Sequence, residues 1–415
     1  MKKTHSKIIL VYALLVLSYF FSYFFRVSTS VVLPMIRNEW SLSAGIVGFI
    51  SSMYYYTYAL MQPMCGVLND RIGPEKVVGF GIVITSIGSL CFGLGNTTMW
   101  LIVGRLLMGV GLSPMLSGLL VFQGTHFAPE RYAFFSGLSM MIGNMGAVFS
   151  VGPLSLALHT WGRSSIFSLL SVVTLGMAAA LFLVGRNPSQ PKSESFKKML
   201  RQRLALAFEV VKSSSELKRI IVIWMISFGG LMAYQGLWAV SWFKTTYGEM
   251  ADHASFAASF IGIGVMIGNF LGGYLCKTHT KRHQIVARLV YTVFVAWVLT
   301  VGCFLIRAPF FLTILASTFL GMANGMAFTQ LTAGVNDIAP AGQGGAVFGI
   351  TNCITFTCVI VFQWGTGALI DLFSSSMGSE IAYLMTFTIV LCFLLVPCLA
   401  TIGMKQFRKV EKSIS

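Results

Sequence analysis

Two arginines, Arg26 and Arg105, stand inside long apolar runs of the chain, and no other charged residue does. All 13 acids fall in the polar punctuation between runs or at run ends. A charge at bilayer depth costs from about 2.5 to about 17 kcal/mol, depending on the reference state. A residue kept there is therefore a functional candidate. Arginine stays charged at every relevant pH, and its planar fork of donors matches a carboxylate or a phosphate. Two such cations without a buried counter-charge repel each other, so they require a hydrated cavity and gain from an anionic ligand. Arg26, near the middle of its run, is too deep to snorkel and reads as an anion contact. Arg105 has two readings: a ligand or coupling contact, or an organiser of helices through backbone carbonyls.

A second constellation is Tyr234, Gln235 and Trp238. Residues four apart share a helix face, so Tyr234 and Trp238 can stack on the organic part of a ligand with the Gln235 amide beside them. The alternative is aromatic packing. Other chemistry is missing from the pattern. The eight cysteines lack metal-ligand spacing and read as free buried thiols. The six histidines lie at run ends or in loops. The phosphate loop G-x-x-x-x-G-K-[ST] is absent, which disfavours an ATP-driven pump. No cofactor and no metal is expected.

Composition says which elements must position these residues. The chain has 415 residues, 56% apolar and 10% charged, with a mean hydropathy of +0.79. Soluble domains carry about 25% charged residues. Soluble, disordered, fibrous and disulfide-rich classes are thereby excluded, leaving a polytopic helical membrane protein. The net charge of +16 does not point to nucleic acid, because the basic residues border apolar runs. The apolar runs predict twelve spans, over 8–36, 44–65, 77–95, 99–122, 133–158, 165–185, 219–243, 254–276, 285–306, 309–331, 344–368 and 381–404. The first continues without a cleavage site and reads as a retained transmembrane helix.

With loops numbered alternately from inside, 23 of the 29 basic residues fall inside and only Arg37, Arg163, Lys244 and Arg307 outside. Both termini are then cytoplasmic. Residues 186–218 form the one long linker, rich in Lys and Arg, whose middle from about Phe196 to Val211 can form a basic amphipathic helix on the inner leaflet. It separates an N-terminal six-helix bundle, 1–185, from a C-terminal one, 219–415. The halves echo each other: Gly66-Val67-Leu68 recurs as Gly273-Tyr274-Leu275, and Ala128-Pro129 as Ala339-Pro340.

The loop after span two reads Gly66-Val67-Leu68-Asn69-Asp70-Arg71-Ile72-Gly73-Pro74-Glu75-Lys76. It resembles the signature G-x-L-x-D-R-x-G-x-x-K of the major facilitator superfamily, and Gly104-Arg105-Leu106-Leu107-Met108-Gly109-Val110-Gly111 is similar to that family's R-x-x-x-G-x-G. Within it, Tyr23-Phe24-Phe25-Arg26-Val27-Ser28-Thr29-Ser30-Val31-Val32-Leu33-Pro34 resembles the anion:cation symporter pattern Y-x-D-R-x-x-x-S-V-x-x-P, with Phe25 in place of the Asp. The run from Tyr58 to Gln62 and Pro63 resembles the same branch, and Gln235-Gly236-Leu237-Trp238 resembles a stretch of sugar-phosphate permeases.

The resemblance covers essentially the whole chain. It implies an all-α fold of two six-helix bundles rocking about a central site, and it adds Tyr58, Asn144 and Asn352 to the substrate-binding candidates. It also implies that Gly66, Asp70, Arg71 and Gly73 form a cytoplasmic latch, with Gly66 and Gly73 permitting a tight turn. The expectation is a secondary active or facilitative transporter of a small organic anion: a carboxylate, sugar acid or phosphorylated metabolite. It is expected to act as a monomer in a bacterial inner membrane, its partners being the substrate and the bilayer. The alternatives are an amino-acid, peptide or siderophore carrier, or a non-transporting receptor or sensor. Phe25 and Leu112 stand where the symporters carry acids, so exchange, uniport or a proton carried only on the substrate is expected.

Overall fold

The computed structural model describes residues 2–185, 196–275, 281–340 and 343–409, which are almost wholly helical. Span one is α1 (Lys2–Val27) and α2 (Thr29–Trp40), jointed at Ser28. Spans two and three are α3 (Ala44–Ile72) and α4 (Pro74–Leu94). Span four is α5 (Thr98–Leu112) and α6 (Met115–His126), broken at Pro114, whose missing N–H cannot continue a helix. Next come α7 (Pro129–Phe149) and α8 (Gly152–Val184). Gly162 inside α8 has φ 74°, which no right-handed helix permits. The chain turns there, so the residues before it finish span five and those after it make span six.

The amphipathic α9 (Phe196–Ser213) precedes the second half. Span seven is α10 (Ser215–Ala233) and α11 (Ala239–Thr246) joined by a π-turn, Tyr234–Trp238. Then follow α12 (Ala254–Leu275), α13 (Arg282–Leu305), α14 (Phe310–Ile338), α15 (Gly344–Met377), and span twelve as α16 (Ser379–Phe393) with α17 (Leu395–Ala400). Among the described residues, ten helical stretches are long and apolar enough to cross a membrane. With α3, and with α7 running on into α8, they account for the twelve passages.

Three helix C-termini run well past the expected limits, whereas span twelve stops short, at Ala400 against 404. Span two, expected over 44–65, continues as α3 to Ile72, and α4 starts at Pro74. Only Gly73, at φ 94°, separates them. Gly66 is thus helical and takes no part in the turn. Hydropathy marks where a helix leaves the hydrocarbon; intrahelical hydrogen bonds carry it on into water. The α14 and α15 C-termini overrun for the same reason.

The linker helix also differs from expectation. Ala207 and Val210 of α9 are buried with Leu217, Ile220, Trp224 and Val347 at the inner end of the second half. The helix packs against α3, α10 and α15. It is docked on protein through that face, which a stretch lying only on lipid would not be.

The two halves meet along α3 with α15 and along α7 with α12. A Cβ on Gly48 would overlap the Gln363 carbonyl, and one on Gly367 the Ala44 carbonyl. Bare Cα atoms let the helix backbones close up, as small residues do between membrane helices.

Candidate functional site

Spans one, four and seven are each interrupted at mid-depth; Arg26 and the Tyr234–Trp238 run sit at two of these interruptions, and Arg105 lies mid-helix in α5. Irregular backbone at such depth is tolerated where protein buries it or a cavity receives it. Arg26 occupies the last turn of α1 and is 4% exposed. No carboxylate among the described residues approaches it; four aromatic rings do. Its Cζ lies 4.8 Å from the Tyr23 ring, 4.9 Å from Tyr58, 5.3 Å from Phe356 and 5.9 Å from Tyr54. A desolvated cation over a ring gains about 0.5–2 kcal/mol, so these faces stand in for a counter-ion. Its Nε has no hydrogen-bond partner. Phe356 belongs to α15, so a ring from the second half roofs a cation of the first.

Arg105 is 1% exposed and differently held. Its Nη1 donates to the Phe25 carbonyl (2.8 Å) and its Nη2 to the Ser51 carbonyl (3.1 Å). The Phe25 carbonyl, beside the joint in span one, also accepts from the Ser28 hydroxyl (3.1 Å). Arg105 ties spans one, two and four together through backbone, which is the organiser reading. Phe25, in place of an acid, contributes only its carbonyl to that tie.

Between the halves lies a cavity of about 20 Å³ whose lining includes Tyr23, Asn144, Gln235, Asn269, Asn324 and Phe328. That is room for about one water molecule, so an organic ligand requires the halves to part. Asn144 and Gln235 were legible candidates. Asn269 and Asn324 were missed, although an Asn inside an apolar span is itself a signal, because its amide needs a partner there. Asn144 and Asn324 spend their Nδ2 on the carbonyls of Met140 (2.7 Å) and Leu320 (3.0 Å) in their own helices. The Asn144 Oδ1 is left buried without a partner.

Tyr234 and Trp238 need correcting. Both are fully buried and neither lines this cavity. The Tyr234 hydroxyl bonds Ser317 (2.9 Å) and its ring packs against Trp242, Trp297 and Phe387. Trp238 donates to Thr366 (2.9 Å). The two residues do share a face, but it is turned onto α16, where Trp238 meets Tyr383 and Tyr234 meets Phe387; the π-turn keeps them nearly in line, since four of its residues make almost one full turn. It also presents the Gly236 carbonyl to the Thr29 hydroxyl of the first half (2.8 Å). Tyr58 stacks on Tyr54 (5.4 Å) and meets Phe356 edge-on (4.7 Å). Asn352 donates to Gln62 (2.9 Å), bridging α15 and α3.

At the outer end, defined by the expected orientation, Asp371 of α15 accepts from Ala44 N–H (2.7 Å) and Gly45 N–H (2.6 Å), capping the α3 N-terminus. The Gly152 N–H of the first half donates to Ser259 of the second (2.8 Å). At the inner end, Asp337 pairs with Arg282 across α14 and α13. Neither acid reaches the central cavity. In the inner loop Arg71 is exposed on the last turn of α3; the Asp70 side chain lies outside the described residues.

The chain is similar to known proteins over most of its length. The family Major Facilitator Superfamily matches residues 15–363. The probable sulfoacetate transporter SauU of Cupriavidus necator is 25% identical over 279 residues, covering 64% of each chain. The probable L-galactonate transporter of Escherichia coli is 28% identical over 170 residues, covering 40% of this chain and 37% of that one. The chain thus spans less than two thirds of the length of these relatives. Among solved structures, a bacterial homolog of the human lysosomal transporter Spinster, inward-facing and occupied, superposes with a TM-score of 0.76 at 16% identity, covering 96% of both chains. The D-xylose-proton symporter gives 0.73 at 12% identity, with 96% and 97% covered. The helix pairing across the seam, the jointed spans at mid-depth and the family match agree: the chain belongs to the Major Facilitator Superfamily.

Proposed function

We propose that the chain carries a small organic anion across the membrane by alternating access, with Arg26 as the anion's anchor. The observation that carries this reading is a cation, buried near mid-depth, roofed by Phe356 of the opposite half and bound to no carboxylate among the described residues. When the halves 1–185 and 219–415 part, Phe356 leaves with α15 and the guanidinium faces the widened cavity. An anion then replaces aromatic faces with charge-assisted hydrogen bonds, which are roughly twice as strong as neutral ones. Tyr23 and Tyr58 flank it, and Asn144, Gln235, Asn269 and Asn324 supply amides for hydroxyl or carbonyl groups of the substrate. Arg105 holds the scaffold. The sulfoacetate and L-galactonate carriers among the relatives support the anionic class. Asp70 and Arg71 are proposed to latch the inner side shut when the outer side is open.

A thermal-shift screen of the purified protein tests the substrate class. Sulfonates, sugar acids and phosphorylated sugars should raise the melting temperature, and uncharged analogues of the same size should not. Stabilisation by neutral sugars alone would remove the anionic class.

A further inference from the structure

Outside the seam lies a second, larger cavity of about 560 Å³, within the usual range for small-molecule sites. Its lining brings together Arg37 of α2, His159 of α8 and Lys244 of α11, with Asn38, Ser241 and Tyr383. Both halves contribute, and no carboxylate among the described residues lines it. Val240, one turn outward from the Gly236 carbonyl that holds Thr29, forms part of its lining, so the cavity sits directly over the closed seam.

The distribution of charge makes this notable. Lys and Arg are avoided on the outer side, and this chain keeps four there: Arg37, Arg163, Lys244 and Arg307. Arg163 is consumed by the carbonyls of Phe92 (3.0 Å) and Gly95 (2.9 Å). Arg307 is consumed by a two-pronged pair with Glu380 (2.9 and 2.6 Å). The remaining two both line the cavity. Of the described carboxylates at this end, Glu39 accepts from Trp40 (3.3 Å), Asp371 caps α3 and Glu380 holds Arg307, while Asp252 is not part of the lining. Arg37 keeps only long contacts, to Leu42 carbonyl (3.4 Å) and Tyr383 hydroxyl (3.5 Å).

We infer that this cavity is an outer anion-binding vestibule, which holds the carried carboxylate, sulfonate or phosphate in transit between the outer solution and the central site. The inference rests on the anionic reading of Arg26 for the identity of its ligand. A concave, single-sign surface focuses field and concentrates ions of opposite charge.

The test needs no knowledge of the substrate. Ser241→Cys, and separately Ser379→Cys as a second reporter, are introduced into the full chain in membrane vesicles. Each is labelled from outside at low salt with sulfonate-bearing and with quaternary-ammonium methanethiosulfonates, and the unsubstituted chain gives the background of the native cysteines. Rates are normalised to a small free thiol. The anionic reagent should react at least about tenfold faster than the cationic one. Lys244→Gln with His159→Gln should bring the ratio towards one, and millimolar sulfate should slow the anionic reagent more than chloride at equal ionic strength. A ratio near one at both reporters, or one unmoved by the double substitution, overturns the vestibule. Arg26→Ala separates the two readings. Normal anion flux in that variant, with the ratio still high, removes the central anchor and leaves the vestibule. Lost flux with a ratio near one does the reverse.

Discussion

Arg26 and Arg105 are one residue type in two different settings, and substitution should separate them. Arg105 donates to two backbone carbonyls from different spans, and Arg26 touches rings. Removing a partner of a buried polar group costs about 1–3 kcal/mol. Arg105→Gln should therefore lower thermal stability by several degrees and reduce the amount of folded protein. Arg26→Gln should leave the melting temperature near that of the parent, read by fluorescence-detected unfolding of both in the same detergent. Equal destabilisation would merge the two roles. Arg26 was legible because a buried charge stands out in any apolar run, and its partners were only partly so. Tyr58 came from a motif, whereas Phe356 looks like any core phenylalanine until α15 is seen packed on α3. Tyr234 and Trp238 do share a face, as their spacing implies, but spacing does not say that this face meets α16 and not the cavity.

At the scale of elements, the outer seam is held by a carboxylate of one half on the helix N-terminus of the other. Asp371 takes two amide N–H groups of α3 that have no intrahelical partner, where a negative charge is also favoured by the helix dipole. Losing such a cap costs about 0.5–2 kcal/mol. Asp371→Ala should thus shift the open–closed equilibrium towards the outward-open form by about 2- to 30-fold. Cysteine accessibility from outside at a buried seam position such as Ser51 should rise accordingly; no change would show that the cap is incidental. The twelve passages were readable from apolar runs, and the turn at Gly162 falls in the break expected between 158 and 165, whereas the joint at Pro114 lies inside a run read as one unbroken span over 99–122. The helix ends were not readable, since α3 crosses from lipid to water without a change in its hydrogen bonding. The docking of α9 depends on a groove formed by α3, α10 and α15, which no segment encodes alone.

For the whole molecule, the pattern of acids bears on how transport is driven. Asp337 is paired at the inner end, Asp371 is bonded at the outer end, and no acid lines the described central cavity. A buried carboxylate is the natural proton carrier, because burial raises its pKa towards neutrality, and an arginine cannot release a proton at any relevant pH. Flux in proteoliposomes should therefore follow the anion's own gradient, or exchange for anion on the far side. It should be indifferent to an imposed pH gradient when substrate ionisation is held fixed. Uphill accumulation abolished by Asp371→Asn would instead make the outer cap a proton carrier. The same vesicles decide the central claim. Uptake of an anion that stabilises the protein is compared for the parent chain, Arg26→Lys and Arg26→Ala, each shown to be folded and inserted. The lysine keeps the charge but loses the fork, so its half-saturating concentration should rise at least about tenfold, the equivalent of about 1.4 kcal/mol. The alanine variant should carry no anion above empty vesicles. Parental uptake by Arg26→Ala would contradict the account.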